Sequence, residues 1–151
     1  MRYCRGIDTP LGRMVATSDK KVLCCLEFGE CEGRDDAPPL ISIERELGLY
    51  FSGKLREFKT LIAYVGTPFQ VMVWKELGKI AFGETCSYRE LAKKVKRDTA
   101  CRAVAQANGR NRLAIVIPCH RVIYADGTLG GYAGGVEYKK GLLDHEMFWR
   151  G

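Results

Sequence analysis

Leu113-Ala114-Ile115-Val116-Ile117-Pro118-Cys119-His120-Arg121-Val122 carries the densest chemistry in the chain. Four branched apolar residues and one alanine lead into Pro118, which cannot donate to a strand ladder and ends any central strand there. The pattern predicts a strand that delivers Cys119 and His120 to the edge of a core, where the chain must turn. Cysteine attacks as the thiolate, and only a few per cent of a free thiol is ionised at pH 7. The imidazole of His120 and the guanidinium of Arg121 are the neighbours able to raise that fraction. Adjacent side chains do not face each other on a strand or helix. His120 is therefore expected to act through a turn or a bridging water. A Cys-His pair taken alone reads first as a core cysteine beside a surface histidine, since free cysteine is mostly buried and inert, so the surrounding residues have to decide.

Downstream, Ala125-Asp126-Gly127 is a turn, and Gly130-Gly131-Tyr132-Ala133-Gly134-Gly135 can wrap closely round a ligand because glycine lets backbone amides approach. The last helix is expected over 136–148, with Leu142, Leu143 and Met147 inward and Lys139 near its start. The chain has two histidines, so a general base is His120 or His145. Glu146 is the natural carboxylate partner that holds an imidazole in one tautomer.

Upstream, Phe69, Met72-Val73, Leu77 and Ile80 recur at helical spacing. They predict an amphipathic helix over 68–79, with Trp74 near its apolar face. Ser87-Tyr88-Arg89-Glu90 is a capping box opening a short helix that ends in Lys93, Lys94 and Lys96. A second short helix runs from Thr99 to Asn108, capped by Asp98 or Thr99. Two short helices joined by a polar turn and flanked by Lys and Arg describe a helix-turn-helix. Its second helix presents Ala100, Cys101, Ala103, Ala105 and Ala107, with Arg102 the one long exception. Small residues there suit either tight packing or close approach to a narrow groove with one side chain inserted into the base stack.

Residues 1–65 read as a separate α+β unit. Thr9-Pro10-Leu11-Gly12 is a turn, 13–17 and 22–28 are strand-like, and 29–39 is an exposed loop. Ile41, Glu44-Arg45 and 47–51 outline a helix closed by Gly53, and 55–65 is a further strand candidate leading to the linker Gly66-Thr67-Pro68. Cys24 and Cys25 are adjacent and point to opposite faces of a strand, so they cannot easily share a metal. A disulfide from Cys31 to Cys24 or Cys25 stays open, with free thiols the simpler reading.

At 151 residues the chain can form two small domains with genuine cores. Its formal charge of +6 and pI near 9.0 favour a polyanionic partner. No run approaches the roughly 18 apolar residues of a membrane span, and no apolar run follows Met1-Arg2-Tyr3-Cys4-Arg5, so neither membrane nor secretory targeting is expected. An odd count of seven cysteines fits a reducing, cytoplasmic setting.

The hexapeptide Ile117-Pro118-Cys119-His120-Arg121-Val122 resembles the active-site signature of the O(6)-alkylguanine-DNA alkyltransferases. The resemblance extends to Thr67-Pro68-Phe69-Gln70, Val73-Trp74, Gly83, Ser87-Tyr88, Arg102-Ala103-Val104, Asn111, the 130–135 glycine run, Lys139, Leu142-Leu143 and Glu146. It is close over about 67–147 and loose before that. It implies an α+β protein: a small N-terminal ribonuclease-H-like unit of antiparallel strands plus a helix, 1–65, then a mostly helical DNA-binding and alkyl-transfer domain, 66–151, with a winged-type helix-turn-helix.

The activity implied is single-turnover DNA repair, in which an alkyl group moves from O(6)-alkylguanine, or O(4)-alkylthymine, in double-stranded DNA to Cys119. In that scheme Arg102 fills the space of a flipped nucleotide, and Ala100, Ala103, Arg110 and Arg121 lie at the DNA. Asn111 is the hinge, and Glu146 pairs with His120, which reaches Cys119 through water. Tyr88 donates to the leaving guanine, supported by Lys139. Val122, Tyr132, Ala133 and Gly134 line the base pocket, Ala133 standing where a serine is common. Ala81 replaces a usual proline. Some members bind zinc in the first unit through histidines, but this chain has none before His120, so neither metal nor organic cofactor is expected, and the protein is expected to be a monomer. The competing readings are a relative that binds alkylated bases without transfer and a Cys-His-Glu hydrolase.

Overall fold

The computed structural model describes residues 1–151. By packing, the chain divides into two compact units, Met1–Val65 with Arg112–Ala114, and Gly66–Asn111 with Ile115–Gly151.

The first unit is built on an antiparallel sheet in the order β1 (Tyr3–Thr9), β2 (Gly12–Ser18), β3 (Leu23–Phe28). β1 and β2 form a hairpin whose turn is tied by Thr9: its hydroxyl donates to the Gly12 carbonyl and accepts from Leu11 N–H. Ile7 faces Met14, and Met14 and Ala16 face Phe28 and Leu26, so alternate residues build one apolar face. Helix α1 (Pro38–Phe51) covers it with Leu40, Ile43, Leu47 and Tyr50, spaced to form one buried stripe. β1 was not foreseen: Tyr3-Cys4-Arg5-Gly6-Ile7-Asp8 offers one aliphatic residue, too few for an alternation to register.

The expected strand over 55–65 does not form. Leu23 exchanges two backbone bonds with Leu61 and Ala63, but the N–H groups of Lys59 and Thr60 go to the Glu46 carboxylate instead of a ladder. The expected strand over 113–117 is also absent. Leu113 makes a single bridge to Leu26, after which Ile115 adopts φ +72°. For a β-branched residue that is strained backbone, costing about 1–3 kcal/mol. The apolar run is there because Leu113, Ile115 and Ile117 are all buried, not because they pair.

In the second unit, α2 (Pro68–Leu77) starts with a Thr67/Gln70 capping box and Pro68 in its first turn. It buries Val73, Trp74 and Leu77, and the Trp74 indole donates to the Ala107 carbonyl at 2.8 Å. α3 (Tyr88–Lys94) opens with the expected Ser87/Glu90 box. α4 (Cys101–Gly109) is shorter than expected at its start; its N-cap is Ala100, with no side-chain cap from Asp98 or Thr99. α4 buries Val104, Ala107 and Asn108 and leaves Arg102, Ala103 and Gln106 exposed. Two residues each from β4 (Cys86–Ser87) and β5 (Val122–Ile123) pair in parallel, setting the start of α3 beside the end of the Cys119 segment.

The last helix, α5 (Val136–Trp149), buries Lys139, Leu142 and Glu146. Met147, expected inward, is 61% exposed. Leu142 is buried as expected and Leu143 half-buried, but the other two buried positions are charged, so hydrophobic periodicity finds only part of the inward face. No helix is long and apolar enough to cross a membrane.

Candidate active site

Cys119, His120 and Arg121 form one turn of 3-10 helix following Pro118, and all three side chains are buried. A single tight turn aims successive side chains in different directions. Two asparagines hold it. Asn111 donates to the Ile117 carbonyl at 2.8 Å and to the Cys119 sulfur at 3.1 Å. Asn108, inside α4, donates to the Cys119 carbonyl at 3.4 Å. The end of α4 is thereby tied to the Cys119 backbone, and the segment just after it to the sulfur. Asn111 was foreseen as a hinge; Asn108, in the last turn of α4, was not.

His120 Nε2 and Glu146 Oε2 are 2.7 Å apart. Burial disfavours ionisation of Glu146, yet hydrogen bonds and charge from His120 and Arg121 hold its carboxyl far below the ordinary carboxylate range. An ionised acceptor requires Nε2 to carry the proton, leaving Nδ1 as the basic nitrogen, and Nδ1 has no protein partner. Burial lowers the His120 pKa against the opposing pull of Glu146, so the resting imidazole is neutral and able to accept a proton.

Arg121 does not lie where it was expected. It is buried, donating to both Glu146 oxygens at 2.8 and 3.0 Å and to the Ile80 carbonyl at 2.6 Å. Those bonds commit its guanidinium to the interior, so it is unavailable to DNA phosphates. It acts on the thiol only indirectly, by fixing the carboxylate that fixes His120; Gly83 N–H adds a further bond to Glu146.

Burial raises the Cys119 pKa, with Asn111 and the Lys139 charge opposing it. Lys139, wholly buried, donates to the carbonyls of Leu129 and Gly131 and to the Tyr88 hydroxyl at 3.3 Å. Desolvation brings its pKa down to about 8, so it remains mostly charged at pH 7. One ammonium thus ties the glycine run to the start of α3. Since Tyr88 oxygen accepts from Lys139, its own proton is free to be given elsewhere. Burial pushes the Tyr88 pKa up to about 12, with Tyr124 and Cys119 adding to the effect, which keeps the phenol protonated.

Tyr124, which no sequence pattern singled out, packs its ring 4.7 Å from that of Tyr88. Gly130 lies against both: a Cβ there would come within 2.7 Å of the Tyr88 hydroxyl and 3.1 Å of the Tyr124 ring. The Tyr132 hydroxyl is buried without a partner, Val122 is fully buried, and Ala133 and Gly134 are exposed. Arg102, Ala103 and Arg110 are exposed, and Ala100 partly so. His145 sets its ring edge-on to Phe82.

Comparison with known proteins agrees with this arrangement. Residues 68–148 match the DNA-binding domain of 6-O-methylguanine DNA methyltransferase, and residues 2–64 match the ribonuclease-like domain of that protein. A methylated-DNA–protein-cysteine methyltransferase of Methanosarcina barkeri is 42% identical, across 95% of this chain and 96% of the relative. The protein of that name from Mycobacterium tuberculosis is 40% identical, over 97% and 93%. The crystal structure of M. tuberculosis O6-methylguanine methyltransferase superposes with a TM-score of 0.89 at 39% identity, covering 98% of this chain and 94% of that one. The structure of M. tuberculosis OGT in complex with DNA superposes at 0.90 with 40% identity, over 97% and 94%. With Asn111 bonded to a buried thiol, His120, Glu146 and Arg121 hydrogen-bonded behind it, and both domain matches in chain order, this chain belongs to the 6-O-methylguanine DNA methyltransferase family.

Proposed function

We propose that this protein repairs DNA by moving an alkyl group from O(6)-alkylguanine to its own Cys119, once per molecule. The observation that carries this reading is the Cys119 environment: a buried thiol with one amide donor, beside a neutral imidazole whose unprotonated nitrogen is unpartnered. A water between Nδ1 and the sulfur would pass the thiol proton to His120, and Glu146 would stabilise the imidazolium that results. The thiolate then displaces guanine from the alkyl carbon, forming a carbon–sulfur bond as the carbon–oxygen bond breaks. Tyr88 donates to the departing guanine, with the Lys139 charge behind it. The thioether product has no activated carbonyl for water to attack, so the protein is consumed. O(4)-alkylthymine presents the same ether chemistry.

The alkylated oxygen lies on the Watson–Crick edge, so the base must leave the duplex, at a cost of about a few kcal/mol that damage reduces. α4 suits this task. Ala100 and Ala103 let its backbone approach a groove, Arg102 stands ready to fill the vacated stack, and Gln106 shares its exposed face. Arg110 holds a phosphate. Val122, Tyr132, Ala133 and Gly134 form the walls of the base pocket. The protein acts as a monomer, in a reducing compartment such as the cytoplasm that keeps Cys119 a thiol. Titrating it with a duplex carrying one O(6)-methylguanine tests the reading: one methyl group per chain, mapped to the Cys119 peptide, is expected. Binding without methylation would favour a non-transferring base binder, and turnover would exclude both.

A further inference from the structure

β1 is an edge strand of the three-stranded sheet, and edges with free N–H and C=O groups are normally covered. Here the loop between β3 and α1 covers it. Gly6 N–H donates to the Gly33 carbonyl at 3.0 Å, Asp35 N–H to the Cys4 carbonyl at 3.1 Å, and Cys4 N–H to the Asp35 carboxylate at 2.9 Å. The approach is close enough to require glycine on both sides. A Cβ on Gly6 would come within 2.8 Å of the Cys31 carbonyl, and one on Gly33 within 2.6 Å of the Cys4 carbonyl. This brings the sulfurs of Cys4 and Cys31 to 2.8 Å, less than ~1 Å beyond a covalent disulfide.

No other cysteine suits Cys4. The register Cys4–Thr17–Cys25 puts Cys25 two strands away, about 9.6 Å by interstrand spacing, and a disulfide needs Cα atoms within about 7 Å. Cys24 points to the opposite face from Cys25. The pairing considered from sequence, Cys31 with Cys24 or Cys25, is thus not the contact that forms.

We infer that Cys4 and Cys31 are a redox modification site, joined by a low-molecular-weight disulfide such as oxidised glutathione into a cross-link that clamps the loop onto β1. One protein thiolate attacks the glutathione disulfide, releasing one glutathione thiol. The second displaces the remaining glutathione from the mixed disulfide. Two protein thiols are oxidised and one external disulfide is reduced to two thiols. A polar groove of about 900 Å³, in which Arg5, Arg13 and Arg34 face Asp8, Glu30 and Glu32, opens onto Cys31 and gives a zwitterionic reagent such as oxidised glutathione access to that residue. The hydrogen bond with Cys31, burial and the Asp35 charge push the Cys4 thiol up to about 11, so the reaction should quicken with rising pH.

The full-length protein, incubated with oxidised glutathione and quenched by thiol alkylation, should lose two hydrogens in mass. Digestion with trypsin plus a glutamate-specific protease, which separates Cys31 from Cys24 and Cys25, should recover Cys4 linked to Cys31. Tm should rise by about 5–10 °C, consistent with closing a loop of this length, and dithiothreitol should reverse the rise. Cys31→Ser should instead accumulate a glutathione adduct on Cys4 with no gain in Tm. A stable adduct on wild-type Cys4 or Cys31, a link to Cys24 or Cys25, or a pair of thiols that stays reduced would overturn the inference.

Discussion

Each unit of the molecule buries one glutamate to about 1% exposure, Glu46 in the first and Glu146 in the second. Glu46 is met by backbone N–H groups of Lys59 and Thr60 and the Thr60 hydroxyl. Glu146 is met chiefly by side chains that carry or exchange protons, His120 and Arg121. The burial is the same and the partners differ. A buried carboxylate bonded to backbone is a clamp that fixes where a chain segment runs. One bonded to a histidine sets a tautomer and a proton affinity, which is chemistry.

Glu146→Gln should separate the two roles most sharply. It leaves the buried Arg121 charge without its partner, costing about 3–5 kcal/mol of stability. It also removes the carboxylate that sets the His120 tautomer, slowing transfer per folded molecule on the order of 100-fold or more. Chemical denaturation and single-turnover transfer, measured on the same samples, check both. Glu46→Gln should cost about 2 kcal/mol, in the range of a hydrogen bond to a charged group, with the transfer rate per folded molecule unchanged. A loss of rate there would mean the first unit takes part in the chemistry.

pH sharpens the contrast. The Glu146 pKa is depressed in the folded state, so its stabilisation is complete above the unfolded carboxylate value of about 4.3 and is lost as pH falls below it. His120 has a lowered folded pKa, so protonation opposes folding from about pH 6.5 downward. Stability should therefore fall steadily into acid, and the Glu146→Gln curve should be flatter below about pH 4.3. Transfer should speed up with pH as Cys119 ionises, then level off above about 8 as Lys139 loses the charge that supports the thiolate. Lys139→Met should be slower throughout and lack that plateau. The smallest effect on the fold should come from Arg102→Ala, within about 0.5 kcal/mol because the side chain is exposed. Its damage should show only as weaker capture of the flipped base, read as a higher DNA concentration for half-maximal transfer rate.

Much of this site was legible in the sequence, and the reason is local. Cys119, His120 and Asn111 lie within ten residues, and the capping box at Ser87 fixes where Tyr88 sits. What stayed hidden depends on partners distant in the chain. Arg121 reads as a surface cation until Glu146 and Ile80 are seen to enclose it. Tyr124 has no pattern and gains meaning only against Tyr88 and Gly130. The fold shows the same division. Hairpins and amphipathic helices such as α1 follow from periodicity. β1 is held by its neighbours on both sides, and 113–117 mimics a strand because Leu113, Ile115 and Ile117 are buried with Ala114 and Val116 half-buried between them, although no ladder runs along the segment.

The central claim is that a single buried thiol, Cys119, accepts the alkyl group permanently. Intact-mass measurement after incubation with a molar excess of O(6)-methylguanine duplex tests it most directly. The account predicts a gain of one methyl group per chain on the Cys119 peptide, an equal amount of restored guanine, and then no further reaction, with Cys119→Ser unmodified. Methyl loss from DNA beyond one equivalent, or any repair by Cys119→Ser, would contradict it.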